Sequence, residues 1–137
     1  MINLEKRELT LSTGQIAWYE YDREGDVLEI IFQRGEATGA IELTESMILR
    51  FDWKTNAPLS LSFISFSRLL QQNQYGEVHF QLLTDEWPDE ARDKIWTMIQ
   101  TTPLNEFLKL SSYAPAHAHQ IILMTAIKQP NLLAQAA

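Results

Sequence analysis

The chain has no cysteine in 137 residues. That one absence removes disulfides, thiol nucleophiles and every cysteine-ligated zinc or iron–sulfur centre. It also fits a reducing compartment, and the expected location is the cytoplasm. Long apolar runs are missing too. The longest uninterrupted strongly apolar stretch is Ile121–Met124, far short of the roughly twenty residues a spanning helix needs. The opening "MINLEKRELT" is charged where a signal peptide would be apolar. No membrane association is expected. Positive charge is scarce: 11 Lys and Arg stand against 18 Asp and Glu, giving a formal net charge of −7. No basic cluster is longer than Lys6–Arg7, whereas phosphate-backbone binding needs clustered cations. Direct nucleic-acid binding is therefore not expected. Nor does the chain carry a G-x-S-x-G elbow, a phosphate-binding loop or a G-x-G-x-x-G fingerprint. The spacing "GEATG" lies outside any apolar helix and carries no packing meaning.

What is present suits a folded globule. Apolar residues make up 45%, with four Trp, six Phe and four Tyr, and charged residues 21%. A chain of this length can bury about two-thirds of its unfolded surface. The expectation is a single domain over residues 1–137, β-rich over 10–83 and helical over 85–128.

The first half reads as strands. "QIAWYEY", "DVLEIIFQ", "AIELTESMILRF" and "LSLSFI" are rich in β-branched and aromatic residues, and the turn signals "DREGD", "RGEATG" and "KTNAP" separate them. Leu59, Leu61 and Phe63 alternate with Ser60 and Ser62, a period of two that implies one wet face. "SFSRLLQQNQ" suggests a short helix and "EVHFQLL" a further strand. In "TDEWPDEARDKIWTMIQTT", Trp87, Ala91, Ile95, Met98 and Ile99 form a stripe at helical spacing. Pro103 is read as starting a second helix, and 115–128 as a third, despite its β-branched content. The fold class is then α+β: an antiparallel meander of four to five strands packed against C-terminal helices.

The first two predicted strands are apolar on both faces. Ile16 and Trp18 oppose Ala17, Tyr19 and Tyr21, while Leu28, Ile30 and Phe32 oppose Val27 and Ile31. A sheet covered on both sides has this pattern. The chain's helices supply one cover, and a second copy of the protein or another protein supplies the other. Trp18, Tyr19, Tyr21 and Ile31 are the candidate interface residues.

Asp22, Glu24 and Asp26 surround Gly25 between those strands. As a calcium loop starting at Asp22 the segment fails, because Val27 stands where glycine is needed and Gln33 where the bidentate glutamate belongs. The alternative is a hairpin tip, with Asp22 and Asp26 bonding turn amides and Gly25 supplying a positive φ. "YDREGDVLEIIF" and the following "GAIELTESMILRFDWKTNAPLSLSFISFS" resemble a family of small bacterial domains of unknown function. Its pattern falls here at Tyr21, Asp22, Asp26, Leu28, Ile30, Phe32, Ile48 and Asp52. The resemblance covers about residues 15–68. Two positions depart from the pattern: "KTNAP" replaces a glycine turn, and Ser62 a strand glutamate. What the resemblance implies is a small β-sheet unit, with some members in gene pairs that look like toxin–antitoxin systems. It implies no activity and no site residue.

Three histidines complete the inventory. His117 and His119 form H-x-H, which on a strand points both rings one way. A metal would need a third ligand, from His79 or the acids around Asp85 and Asp89. The acids Asp85, Glu86, Asp89 and Glu90 are otherwise accounted for by a helix N-terminus, where they complement the macrodipole. Glu90 and Lys94 stand at the spacing of an i, i+4 pair. Trp87 and Trp96 read as core. No cofactor and no catalytic residue is assigned. The expected function is a non-catalytic interaction or regulatory module. It works as a homo-oligomer or through a protein partner, and the alternative is a metal-dependent enzyme or small-ligand binder on His117 and His119.

Overall fold

A computed structural model describes residues 4–73, 76–114, 116 and 120–128. Six strands come first: β1 (Leu4–Thr10), β2 (Ile16–Asp22), β3 (Val27–Ile31), β4 (Gly39–Thr44), β5 (Met47–Asp52) and β6 (Ala57–Ile64). There follow α1 (Phe66–Asn73), β7 (Phe80–Gln81), α2 (Asp89–Gln100), β8 (Leu108–Tyr113) and β9 (Ile122–Ile127). The fold is therefore rich in antiparallel sheet, with two α-helices of 8 and 12 residues among the described residues.

The six strands form one antiparallel sheet in the order β1-β2-β3-β6-β5-β4, and β7-β9-β8 form a second. The expected meander of four to five strands is corrected in two ways. The segment "AIELTESMILRF" is a hairpin, not one strand. Its turn has no Gly, Pro or Asn; instead the Thr44 hydroxyl accepts the Ser46 amide at 3.1 Å, a local side-chain turn that composition barely signals. The chain also does not meander straight across. After β3 it passes to the far edge, and β6 returns to pair with β3. The result is two three-strand meanders joined at their last strands.

The inner face of the large sheet carries the core. Ala17, Tyr19 and Tyr21 of β2, Leu28 and Ile30 of β3, Met47, Leu49 and Phe51 of β5, and Leu61 and Phe63 of β6 are all buried. α2 covers this face with Ala91, Ile95, Met98 and Ile99. Burying one large aliphatic side chain is worth about 1.5–3 kcal/mol, against about 0.2–0.5 for a helical ion pair. The apolar stripe, not the surface charges, places α2. Indeed Lys94 does not serve Glu90: its Nζ donates to the Trp53 carbonyl at 3.2 Å and lies 4.8 Å from the centre of the Trp53 ring.

Beyond α2 the helical expectation fails. Residues 104–106 make a single 3-10 turn, and 108–113 and 122–127 are the paired strands β8 and β9. Ile122, Thr125 and Ile127 are β-branched, and β9 sits between β7 and β8, where such side chains pack well. Residues 117–119, and with them His117 and His119, lie outside the described residues. Among the described residues no helix is long and apolar enough to cross a membrane.

Gly39 shows how closely the edge is packed. A Cβ there would sit 2.6 Å from Cζ of Phe51, its cross-strand partner. The Phe51 ring is buried and packs 5.8 Å from the Trp53 ring, so it has little room to retreat. Gly39→Ala is expected to cost about 2 kcal/mol by overpacking. The readout is a lower urea midpoint with an unchanged slope.

Candidate functional site

The acidic turn resolves into a structural device. Asp22 Oδ1 accepts the Gly25 amide at 3.2 Å. The positive φ falls on Asp26 (54°) and not on Gly25, which corrects the expected role of the glycine. A Cβ at Gly25 would lie 2.7 Å from Asp22 Oδ2, so a larger residue there would have to turn the Asp22 carboxylate aside and disturb its bond to the turn amide. Asp26 faces inward to the start of α1. Its carboxylate accepts the Tyr21 hydroxyl at 2.8 Å, the Ser67 amide at 2.9 Å and the Ser67 hydroxyl at 2.6 Å. Burial pushes its pKa up, but the Ser67 and Tyr21 hydrogen bonds prevail and hold it below the usual carboxylate value. Asp26 thus caps a helix that begins forty residues later in the chain.

The outer face of the large sheet is where polar groups converge. Register places Trp18 opposite Ile31, and Ile31 opposite Ser60. In the next row Glu20 faces Glu29, which faces Ser62, which faces Ile48. Ser60 and Ser62 are 6% and 3% exposed, so the expected wet face of β6 is a floor beneath other side chains. Hydroxyls buried that deeply need partners, and Glu29 provides them. Its Oε2 accepts Ser60 Oγ at 3.2 Å and Ser62 Oγ at 3.4 Å. Arg50 Nη1 donates to Ser62 Oγ at 3.0 Å and lies 3.4 Å from the same Glu29 oxygen. Nearby, Glu20 sits between Lys6 and Arg34 at 3.8 and 3.6 Å, and the Arg34 guanidinium lies 5.6 Å from the Trp18 ring centre. A groove of about 190 Å³ runs along Glu29, Ile31, Arg34, Ala37, Arg50 and Ser60.

The four candidate interface residues divide by strand alternation. Trp18 and Ile31 lie on this outer face, Trp18 half-buried and Ile31 7% exposed. Tyr19 and Tyr21 are core residues, 2% and 5% exposed, and line no outward surface. Sequence reading missed Glu29 and Arg50, although the Ser60/Ser62 alternation pointed to their neighbourhood.

Elsewhere, His79 bridges Ser111 and Glu77: Nδ1 lies 3.0 Å from Ser111 Oγ and Nε2 3.1 Å from Glu77 Oε1. The order resembles a nucleophile–base–acid relay, but Glu77 is shared with Lys109 at 3.2 Å. All four side chains are exposed or half-buried, so solvent competes for each contact. Among the described residues no group of three or more metal-ligating side chains stands close enough to hold an ion. Asp85 and Glu86 occupy a 3-10 turn, and Asp89 pairs with Arg92 at 2.8 Å. A larger cleft of about 370 Å³ lies among Ser46, Ser65, Arg68 and Phe80. It is a seam between the β4–β5 turn, α1 and β7.

No known protein family matches this chain, and no curated protein or solved structure matches it either.

Proposed function

We propose that the protein is a non-catalytic interaction module of the cytoplasm that works as a homo-oligomer through the outer face of its six-stranded sheet. One observation carries this reading: Trp18, Val27, Ile48 and Ile64 on the outer face are half-buried and stand apart from the core cluster, while both edges of the sheet disfavour strand addition. At one edge, β4 gives its Glu42 and Leu43 carbonyls to the Trp87 indole and the Leu83 amide, both at 2.9 Å. The opposite edge, β1, displays Lys6, Arg7 and Glu8, charges that discourage strand addition. Assembly is thereby directed to the face. There the pairs Trp18–Ile31 and Val27–Ile64 flank the Glu20–Glu29 row, with Arg34 and Arg50 close by. Both signs of charge and apolar ground lie together, as a self-complementary twofold contact requires. The net charge of −7 favours a protein over DNA as partner. A regulatory, antitoxin-like role would be added only by the sequence resemblance over residues 15–68, for which no family model matches.

The test is native mass spectrometry and light scattering on the untagged chain. The wild type is expected to be a dimer, and Trp18→Glu a monomer with an unchanged circular dichroism spectrum. A wild type that stays monomeric at every soluble concentration would rule the reading out.

A further inference from the structure

The groove beside Glu29 has the chemistry of a site for a small zwitterion, and the geometry points to a free aliphatic α-amino acid as its ligand. Glu29 and Arg50 stand side by side at 3.4 Å. Their shared contacts use only Glu29 Oε2 and Arg50 Nη1. Glu29 Oε1 and Arg50 Nε and Nη2 have no protein partner among the described residues. One carboxylate acceptor and two guanidinium donors are thus left over next to each other. Both side chains are about one-third exposed, at 32% and 40%, and both line the groove.

A ligand with a single charge fits badly. A lone carboxylate drawn to Arg50 would be set against Glu29, and a lone ammonium drawn to Glu29 would be set against Arg50. Like-charge juxtaposition of this kind costs several kcal/mol. An α-amino acid carries ammonium and carboxylate on one carbon, the spacing that an adjacent acid–base pair can meet at once. Arg34 at the rim adds a second cation for the carboxylate. Ser60 and Ser62 hold Glu29 from below, so its orientation is fixed before anything binds. Ile31 and Ala37 add apolar atoms to the lining, against which an aliphatic side chain can lie. At about 190 Å³ the groove is smaller than the roughly 300–1,000 Å³ of sites for drug-sized molecules, which suits a single amino acid and not a nucleotide.

The groove shares Glu29, Ile31, Arg34 and Arg50 with the face proposed for assembly, so every titration is run on the wild type and on the monomeric Trp18→Glu variant. The experiment is isothermal titration of the full chain with L-leucine, with 4-methylpentanoate (no ammonium) and with 3-methylbutylamine (no carboxylate). Leucine is expected to give a saturable heat, and each analogue to bind at least about tenfold more weakly. Glu29→Gln and Arg50→Lys, checked for native circular dichroism, are expected to lose leucine binding to a similar extent. Absence of a saturable heat with leucine would overturn the proposal. So would either analogue binding as well as leucine, or undiminished binding by Glu29→Gln. A wild type that is monomeric and binds leucine would sink the oligomer reading alone, and a Trp18→Glu monomer that ignores leucine would sink this one alone.

Discussion

Phe66→Ala is expected to lower the unfolding free energy by about 3–5 kcal/mol, the usual range for a fully buried phenylalanine. The residue is 0% exposed. Its ring meets Tyr21 at 5.9 Å in an edge-on arrangement and Phe63 at 6.2 Å, each pair worth about 0.5–1.5 kcal/mol beyond burial. Tyr21 sits on β2 and Phe63 on β6, and hydrogen-bonded strands cannot close in to fill the gap. The cavity term therefore adds almost fully to the lost transfer energy. Phe66 is also the point where β6 turns into α1. Ser65 before it is left-handed (φ 54°), and the Phe66 amide donates to the Asp26 carbonyl at 3.0 Å. Since a domain is typically stable by only about 5–15 kcal/mol, this single change approaches global unfolding. Urea denaturation is the measurement. A loss below about 1 kcal/mol would mean that the ring is not packed between the two strands.

The second large effect is at Asp26. Asp26→Ala removes the cap of α1, commonly about 1 kcal/mol. It also removes a charged acceptor from the Tyr21 and Ser67 hydroxyls, about 1.5–3 kcal/mol per such bond before water replaces any of them, and places alanine at φ 54°. A loss of about 3 kcal/mol is expected from these effects together. Asp26→Asn separates charge from backbone, because asparagine tolerates the left-handed region. The pH dependence follows from the lowered pKa. A carboxyl whose folded pKa lies below its unfolded value contributes stability above the unfolded value, near 3.8. It loses that contribution as pH falls through the folded one. The stability gap between wild type and Asp26→Asn should be full at neutral pH and shrink in acid below the ordinary carboxylate range. Thermal denaturation of both proteins from neutral to acidic pH measures it. A gap that is constant with pH would show that the Asp26 charge contributes nothing.

Local chemistry determined much of this protein without reference to its fold. Alternation separated Trp18 from Tyr19 and Tyr21 within β2, and Ile31 from Leu28 and Ile30 within β3, while the β2–β3 register decided which of these sets share a face. The stripe Ala91–Ile95–Met98–Ile99 located α2, and "DREGD" located a turn. These signals are legible because each depends on residues within one turn or one strand of each other. Charge and the missing cysteines likewise narrowed the chemistry through composition alone.

Long-range pairing decided the rest. A helix was expected at 115–128 because alanines and flanking prolines matched helix signals, but a place between β7 and β8 makes 122–127 a strand. No local pattern announces that β3 will lie beside β6, thirty residues on, and the candidate site follows from that one pairing. Glu29 reads as one more surface acid in sequence, and Ser60 and Ser62 as a wet face. Only the β3–β6 and β5–β6 registers set Glu29 and Arg50 over the two serines, turning unrelated polar residues into a mutually bonded groove. Asp26 shows the same physics: its three donors come from Tyr21 nearby and Ser67 far along the chain, so its role as a cap exists only once β6 has delivered α1 to the turn. Sequence fixes what each segment can bury. Which polar groups meet is settled by strand pairing, whose contacts are non-local.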